Sequence, residues 1–335
     1  MKKTMTLLAA LGAATGACAQ SSVTVYGVID QGFGKLNNGT SFLTGLPAGL
    51  VGAPGVKTMK AVTSSRLGFR GSEDLGDGLR ANFSIEHRFA PDIGSIQFGQ
   101  TGFFGGHSWV GLSKASLGEV RLGRQFVPAH YVAVAGDPWG FDYTAASAYA
   151  FNKGGGTFTY AANSVGYKTP AFVGGLTSEV VYGFREGGTA ENPANNANHV
   201  ISANVIYNKA PFYAGVGFSK VHSATPTKTE YWVMTAAYDL GVIRPILSYS
   251  GGRANAVNMT HGFTLGAVAT MGVTRVKAVY ARLQPPGSNN ETNKFGIGAD
   301  YAFSKRTSVY ANAGTAETEG RTRSTGFDVG LKHLF

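Results

Sequence analysis

GFDVGLKHLF, residues 326–335, closes the chain and reads in twos. Phe327, Val329, Leu331 and Phe335 fall on one side, Gly326, Asp328, Gly330 and Lys332 on the other, and His333 is the one exception. Side chains alternating with period two belong to a β-strand with one apolar and one polar face. Termini of soluble domains usually fray into polar tails. A chain that ends on an apolar-faced strand and a bare aromatic residue therefore needs an architecture in which that strand has a fixed partner.

The same period recurs upstream. Phe295, Ile297, Ala299, Tyr301 and Phe303 alternate with Gly296, Gly298, Asp300 and Ala302; Leu79, Ala81, Phe83, Ile85 and Phe89 alternate with Arg80, Asn82, Ser84, Glu86 and Arg88. A soluble sandwich would also alternate, with its polar faces in bulk water and rich in Lys and Glu. Here those faces carry Gly, Ser, Thr, Asn and a few arginines. Strand patterns appear near 23–33, 62–71, 79–89, 106–114, 118–126, 157–168, 176–185, 198–208, 212–221, 229–239, 242–251, 260–270, 273–283, 293–303, 307–316 and 324–335. That makes about 16, an even number, with short connections such as 72–78, 115–117 and 240–241 interleaved with long polar ones such as 186–197 and 284–292. Short turns on one rim and long loops on the other define a transmembrane β-barrel. In lipid an unpaired sheet edge costs several kcal/mol per orphaned amide, so the last strand pairs with the first. Tyr207, Phe212, Tyr238, Tyr301 and Phe303 near strand ends fit interfacial girdles.

The chain starts MKKTMTLLAALGAATGACAQ. Two lysines, an apolar stretch over 7–16 and the small-x-small Ala17-Cys18-Ala19 read as a signal peptide over 1–19, which leaves one barrel domain over 20–335. Cys18 is the only cysteine, so cleavage removes every thiol. A lipoprotein signal would need a leucine-like residue where Thr15 stands. Glycine reaches 48, aromatics 12% and charged residues only 14%, well below the usual quarter. The formal charge of +10 falls to +8 without Lys2 and Lys3. The basic residues are dispersed, with no Lys/Arg run, which argues against nucleic acid as a partner. After residue 19 no apolar run is long enough for a transmembrane helix. No HExxH, CxxC, GxSxG or phosphate-loop pattern occurs, so neither catalysis, a metal nor a cofactor is expected.

Five stretches carry a family resemblance: SSVTVYGVID (21–30), SSRLGFRGSEDLGDGLRANFSIEHRF (64–89), WVGLSKASLGEVRLGRQF (109–126), NSVGYKTP (163–170) and the terminal GLKHLF. In this order they resemble the general trimeric porins of Gram-negative outer membranes, particularly the betaproteobacterial type. The resemblance implies an all-β, 16-stranded antiparallel barrel, three per assembly, whose third long loop folds into the lumen and sets the narrowest section. By order that loop is residues 127–156, containing DPWGFDY and GGG. The resemblance also implies that Phe335 belongs to the signal read by the outer-membrane assembly machinery. Its implied partners are two further copies of the chain, outer-membrane lipids including lipopolysaccharide, and small hydrophilic solutes and ions.

Selectivity in a wet barrel comes from width and from charged rings. If Leu67 and Phe69 face lipid, Arg66 and Arg70 face the lumen; by the same parity so do Arg80, Glu86 and Arg88. A turn at 72–78 would set Arg70 across from Arg80 and Arg66 beside Glu86 and Arg88, the latter group about 15 to 20 Å above the turn, near mid-membrane. Arg66 and Glu86 resemble the family's basic wall and its partner carboxylate, and Arg124 matches its "GRQ" arginine. Arg121 and Arg124 can be read facing either way. Asp137 and Asp142 on the loop are the expected opposing acids. Gly106 and Tyr160 stand where relatives often carry basic residues, which would thin the wall; Arg244 and Arg275 face inward by parity and could partly replace them. The expected function is passive diffusion through an anion-preferring outer-membrane channel. A substrate-dedicated channel and a closed structural or adhesive barrel are the alternatives, and inward glycines and serines argue for an open lumen.

Overall fold

A computed structural model describes residues 22–37, 55, 57–60, 63–97, 102–147, 159–172, 174–185, 199–222, 228–255, 257–258, 260–285, 287 and 290–335. The expected signal peptide and the GGG of the long loop lie outside them. Sixteen long antiparallel strands form the sheet: β1 (Ser22–Leu36), β2 (Ser65–Gly76), β3 (Leu79–Ala90), β4 (Ser108–Lys114), β5 (Gly118–Phe126), β6 (Tyr160–Lys168), β7 (Leu176–Gly183), β8 (His199–Lys209), β9 (Phe212–His222), β10 (Lys228–Tyr238), β11 (Ile243–Ala254), β12 (His261–Met271), β13 (Thr274–Gln284), β14 (Thr292–Ala302), β15 (Thr307–Thr318) and β16 (Ser324–Leu334). Short two- to four-residue pieces at 57–60, 95–96 and 257–258 extend it. Each long strand pairs with its chain neighbour.

The ring closes where the terminal sequence requires. The second half of β1 pairs with β16 from Val28↔Leu334 to Leu36↔Gly326, while its first half pairs with β2 from Ser22↔Ser72 to Val28↔Arg66. Beyond the last strand residue, Phe335 N–H donates to the Gly27 carbonyl at 3.2 Å and Gly27 N–H to the Phe335 carbonyl at 3.0 Å. A Cβ at Gly27 would enter the Phe335 ring, so the position requires glycine. Even the final residue is thus part of the ladder that removes the edge.

Burial is inverted relative to a soluble sandwich. On β14, Phe295 and Ile297 are 55% and 59% exposed, whereas Lys294 is fully buried and Asp300 nearly so. On β4 and β5, Val110, Leu112, Val120 and Leu122 are exposed, while Ser202, Ser248 and Thr264 inside the barrel are buried. Apolar side chains on the outside of a closed sheet need a hydrocarbon solvent.

Two local readings change. The strand expected to stop at residue 71 runs to Gly76, and the β2–β3 turn is the tight Asp77-Gly78, both at positive φ (51° and 73°). Asp-Gly is the pair that such a two-residue hairpin demands. The apolar alternation fades before the turn because Ser72, Glu73 and Asp74 lie beyond the lipid-facing band, not because the strand ends. The second change is a helix, α1 (Pro128–Ala135), in the stretch expected to be an irregular loop. Pro128 opens it, where a missing N–H costs nothing. PAHYVAVA is apolar around much of its circumference, so it shows no amphipathic period.

Candidate functional site

After β5 the chain turns inward, and over 127–147 it runs across the inside of the wall. α1 lies on β8 to β10. Asn204 Nδ2 donates to the Pro128 carbonyl at 2.9 Å, Thr235 Oγ1 to the Val132 carbonyl at 2.8 Å, and the Ala129 N–H donates to Ser202 Oγ at 3.2 Å. Next comes the turn at Asp137-Pro138-Trp139-Gly140. Pro138 sits over Gly266 on β12, and Trp139 Nε1 donates to Asn312 Oδ1 on β15 at 2.8 Å. Farther on, Tyr143 O–H donates to Asp30 Oδ2 on β1 at 3.2 Å and Thr144 N–H to Asp328 Oδ2 on β16 at 2.6 Å. The Thr144 and Ala145 carbonyls lie on Gly314 and Gly296 so closely that a Cβ at either glycine would collide with backbone. Inward glycines at 215, 217, 266, 296 and 314 form a floor on which the segment rests.

Facing the segment across a cavity of about 1370 Å³ is the basic wall. Cross-strand pairing sets Arg66 opposite Arg88 and Gly68 opposite Glu86. Glu86, nearly buried, takes the Nε side of both guanidiniums, at 2.9 Å from Arg88 and 3.6 Å from Arg66, and also accepts from Tyr26 O–H at 3.2 Å. Gly106 gives Glu86 this place: a Cβ there would strike the glutamate side chain. Tyr160 brings no charge to the wall but packs against its arginines, with Arg88 at 5.4 Å and Arg124 at 4.5 Å from its ring centroid. Arg121 is held by Glu119 and, at 3.2 Å, by Glu179, so its charge is compensated. Both Arg121 and Arg124 turn inward because the strand bulges between Gly123 and Gln125, with Gly123 at φ 127°. A bulge breaks strict alternation.

The expected wall is therefore altered at two places. Arg70 lies opposite Ser84, not Arg80, and stacks over Tyr26 at 5.2 Å. Arg80 is not with the others: it pairs with Asp74 at 3.9 Å and donates to Ser72 beside the turn. Both shifts follow from the shorter turn. Arg275 faces inward and pairs with Asp300 at 3.0 Å rather than facing the lumen alone.

Of the two expected loop acids, only Asp142 borders the cavity. Enclosure by the segment pushes its carboxyl up to about 7, while the charges of Arg66 and Arg88 pull it the other way. Asp137 instead turns into its own loop, accepting from the N–H groups of Trp139 and Ser147, each at 2.7 Å, with buried Lys294 nearby. An Asp at the head of a Pro-Trp-Gly turn satisfies local amides before it reaches anything distant. Sequence reasoning does not single out the anchors Asp30, Asp328, Tyr310 and Asn312. Alternation does put Asp328 on the inward face, but nothing local says that Thr144, 184 residues away in sequence, lands on it.

A closed sheet, apolar outside, with a charged lumen that a loop crosses, defines a membrane channel. The Gram-negative porin family model matches residues 5–321, and the chain belongs to that family. Outer membrane porin protein 32 of Delftia acidovorans is 30% identical over 371 residues, covering all of both chains. An outer membrane porin protein of Bordetella pertussis is 27% identical, again over the whole of both. Among solved structures, the anion-selective porin from Comamonas acidovorans superposes with a TM-score of 0.74 at 26% identity, covering 94% of this chain and 100% of that one. The chain is an outer-membrane porin, a water-filled channel of a Gram-negative bacterium.

Proposed function

We propose that the channel prefers anions and that residues 127–156 form its constriction, with Arg66, Arg88 and Arg124 as the basic wall and Asp142 as the opposing acid. The observation that carries this reading is the charge balance at one level of the lumen. Arg66 and Arg88 border the cavity and share Glu86, Arg124 lies on Tyr160 beside them, and the opposing Asp142 has a negative charge only partly present near neutral pH. A cleft lined by an excess of one sign raises the local concentration of the other. The Comamonas acidovorans porin bears the description anion-selective, which agrees. The family resemblance further supports a homotrimer assembled by the outer-membrane machinery through a signal containing Phe335, a cleaved leader over 1–19, and contact with outer-leaflet lipids.

Proteoliposome swelling tests the preference: potassium glutamate should enter several-fold faster than lysine chloride, and equal or reversed rates would contradict it. Asp142 adds a pH dependence. Its carboxyl is neutral below about 7 and charged above, so the anion preference should strengthen as pH falls from about 8.5 to about 5.5. Asp142→Asn should hold the low-pH preference across that range. A wild-type preference that does not move with pH would remove Asp142 from the constriction.

A further inference from the structure

We propose that the basic wall is a binding station for aromatic carboxylates, solutes in which an arene ring bears a carboxylate. This rests on the anion-preferring reading above and gives it a substrate class. What calls for it is the lining. Elsewhere the inner wall is largely Ser, Thr, Asn and Gly with paired charges such as Lys277 and Asp300, and tyrosines such as Tyr310 are packed beneath the segment. At the level of the arginines the cavity is bordered instead by Trp109, Phe126, Tyr131, Phe141 and Tyr160.

Four of the inward arginines lie on ring faces: Arg70 on Tyr26, Arg88 on Phe126 (5.9 Å) and Tyr160 (5.4 Å), Arg121 on Trp109 (5.0 Å) and Arg124 on Tyr160. A guanidinium laid on a ring is held flat, and its other face can accept a second ring. Arg88 and Arg66 both border the cavity. Glu86 engages each of them on the Nε side. The nearest Glu86 contact of each runs through Nε, and guanidinium Nη ends suit a planar two-oxygen anion. The station thus offers a plane at Arg88 and a fork at Arg66, cross-strand neighbours whose Cβ atoms stand about 5 Å apart. That spacing matches an arene ring with a carboxylate attached. Binding sites for organic solutes are commonly apolar walls with a few placed polar groups, and a conducting site must hold its solute weakly.

The test is block of the chloride current through single channels in planar bilayers, after the zero-current potential has been read in the same membrane. The probes are benzoate and cyclohexanecarboxylate, which share charge and approximate size but differ in the π face. Benzoate should block at several-fold lower concentration; Tyr160→Leu should abolish that difference and Tyr160→Phe should keep it. Equal block by the two probes, or a benzoate advantage that survives Tyr160→Leu, would overturn the inference while leaving the anion preference standing. A potassium-favouring zero-current potential with no block by either acid would overturn both.

Discussion

Replacing Arg66 and Arg88 together by glutamate should turn the proposed anion preference into a cation preference. Each reversal changes the local charge by two, and both residues border the same level of the lumen. A unit charge about 7 Å from a passing ion is worth about 0.6 kcal/mol in water, so four charges amount to roughly 2.4 kcal/mol. Screening over a Debye length of about 8 Å at about 0.15 M reduces this to about 1 kcal/mol. The effect has opposite sign for chloride and potassium, so their permeability ratio should move by roughly tenfold or more. Arg80→Glu, beside the turn and already paired with Asp74, should do far less. Zero-current potentials in a KCl gradient decide the matter, and an unchanged ratio in the double variant would remove both arginines from the constriction.

The second large effect is expected from the glycine floor. At Gly296 a Cβ would be driven into the Ala145 carbonyl, and at Gly314 it would lie 2.7 Å from the Thr144 carbonyl. Backbone on both sides leaves no flexible side chain to yield. Gly296→Val should therefore lift the 142–147 part of the segment off the wall, against the Tyr143–Asp30 and Thr144–Asp328 hydrogen bonds worth about 1 kcal/mol each. Single-channel conductance and open-channel noise should change, while the shift between folded and heat-unfolded mobility on gels persists because the barrel ladder is untouched. Wild-type conductance and noise in this variant would show that the segment does not limit flow.

The strands are legible in the sequence because lipid outside and water inside impose period two on nearly every residue, and Phe327, Val329 and Leu331 obey it without exception. The β2–β3 turn is harder to place, because apolar alternation measures only the lipid-facing part of a strand, and Asp77-Gly78 carries the better signal. Of the wall, parity puts Arg66, Glu86 and Arg88 on the inward face, and their grouping survives the misplaced turn because Arg66 falls beside one or the other of two nearby charges on β3 in either register. Arg70 and Arg80 depend directly on the turn. Arg124 is ambiguous because a bulge is a local break that parity cannot see. The loop acids illustrate a different limit: Asp137 and Asp142 are five residues apart on a non-repeating segment, and only the long-range docking onto β1, β15 and β16 determines which of them borders the cavity.

Anion preference in an open lumen is read from the zero-current potential of the purified wild-type protein in a planar bilayer under a KCl gradient. Stepwise conductance with a potential of the sign set by chloride is the expected result. A correctly folded barrel that gives no conductance, or one whose potential takes the sign set by potassium, would contradict it.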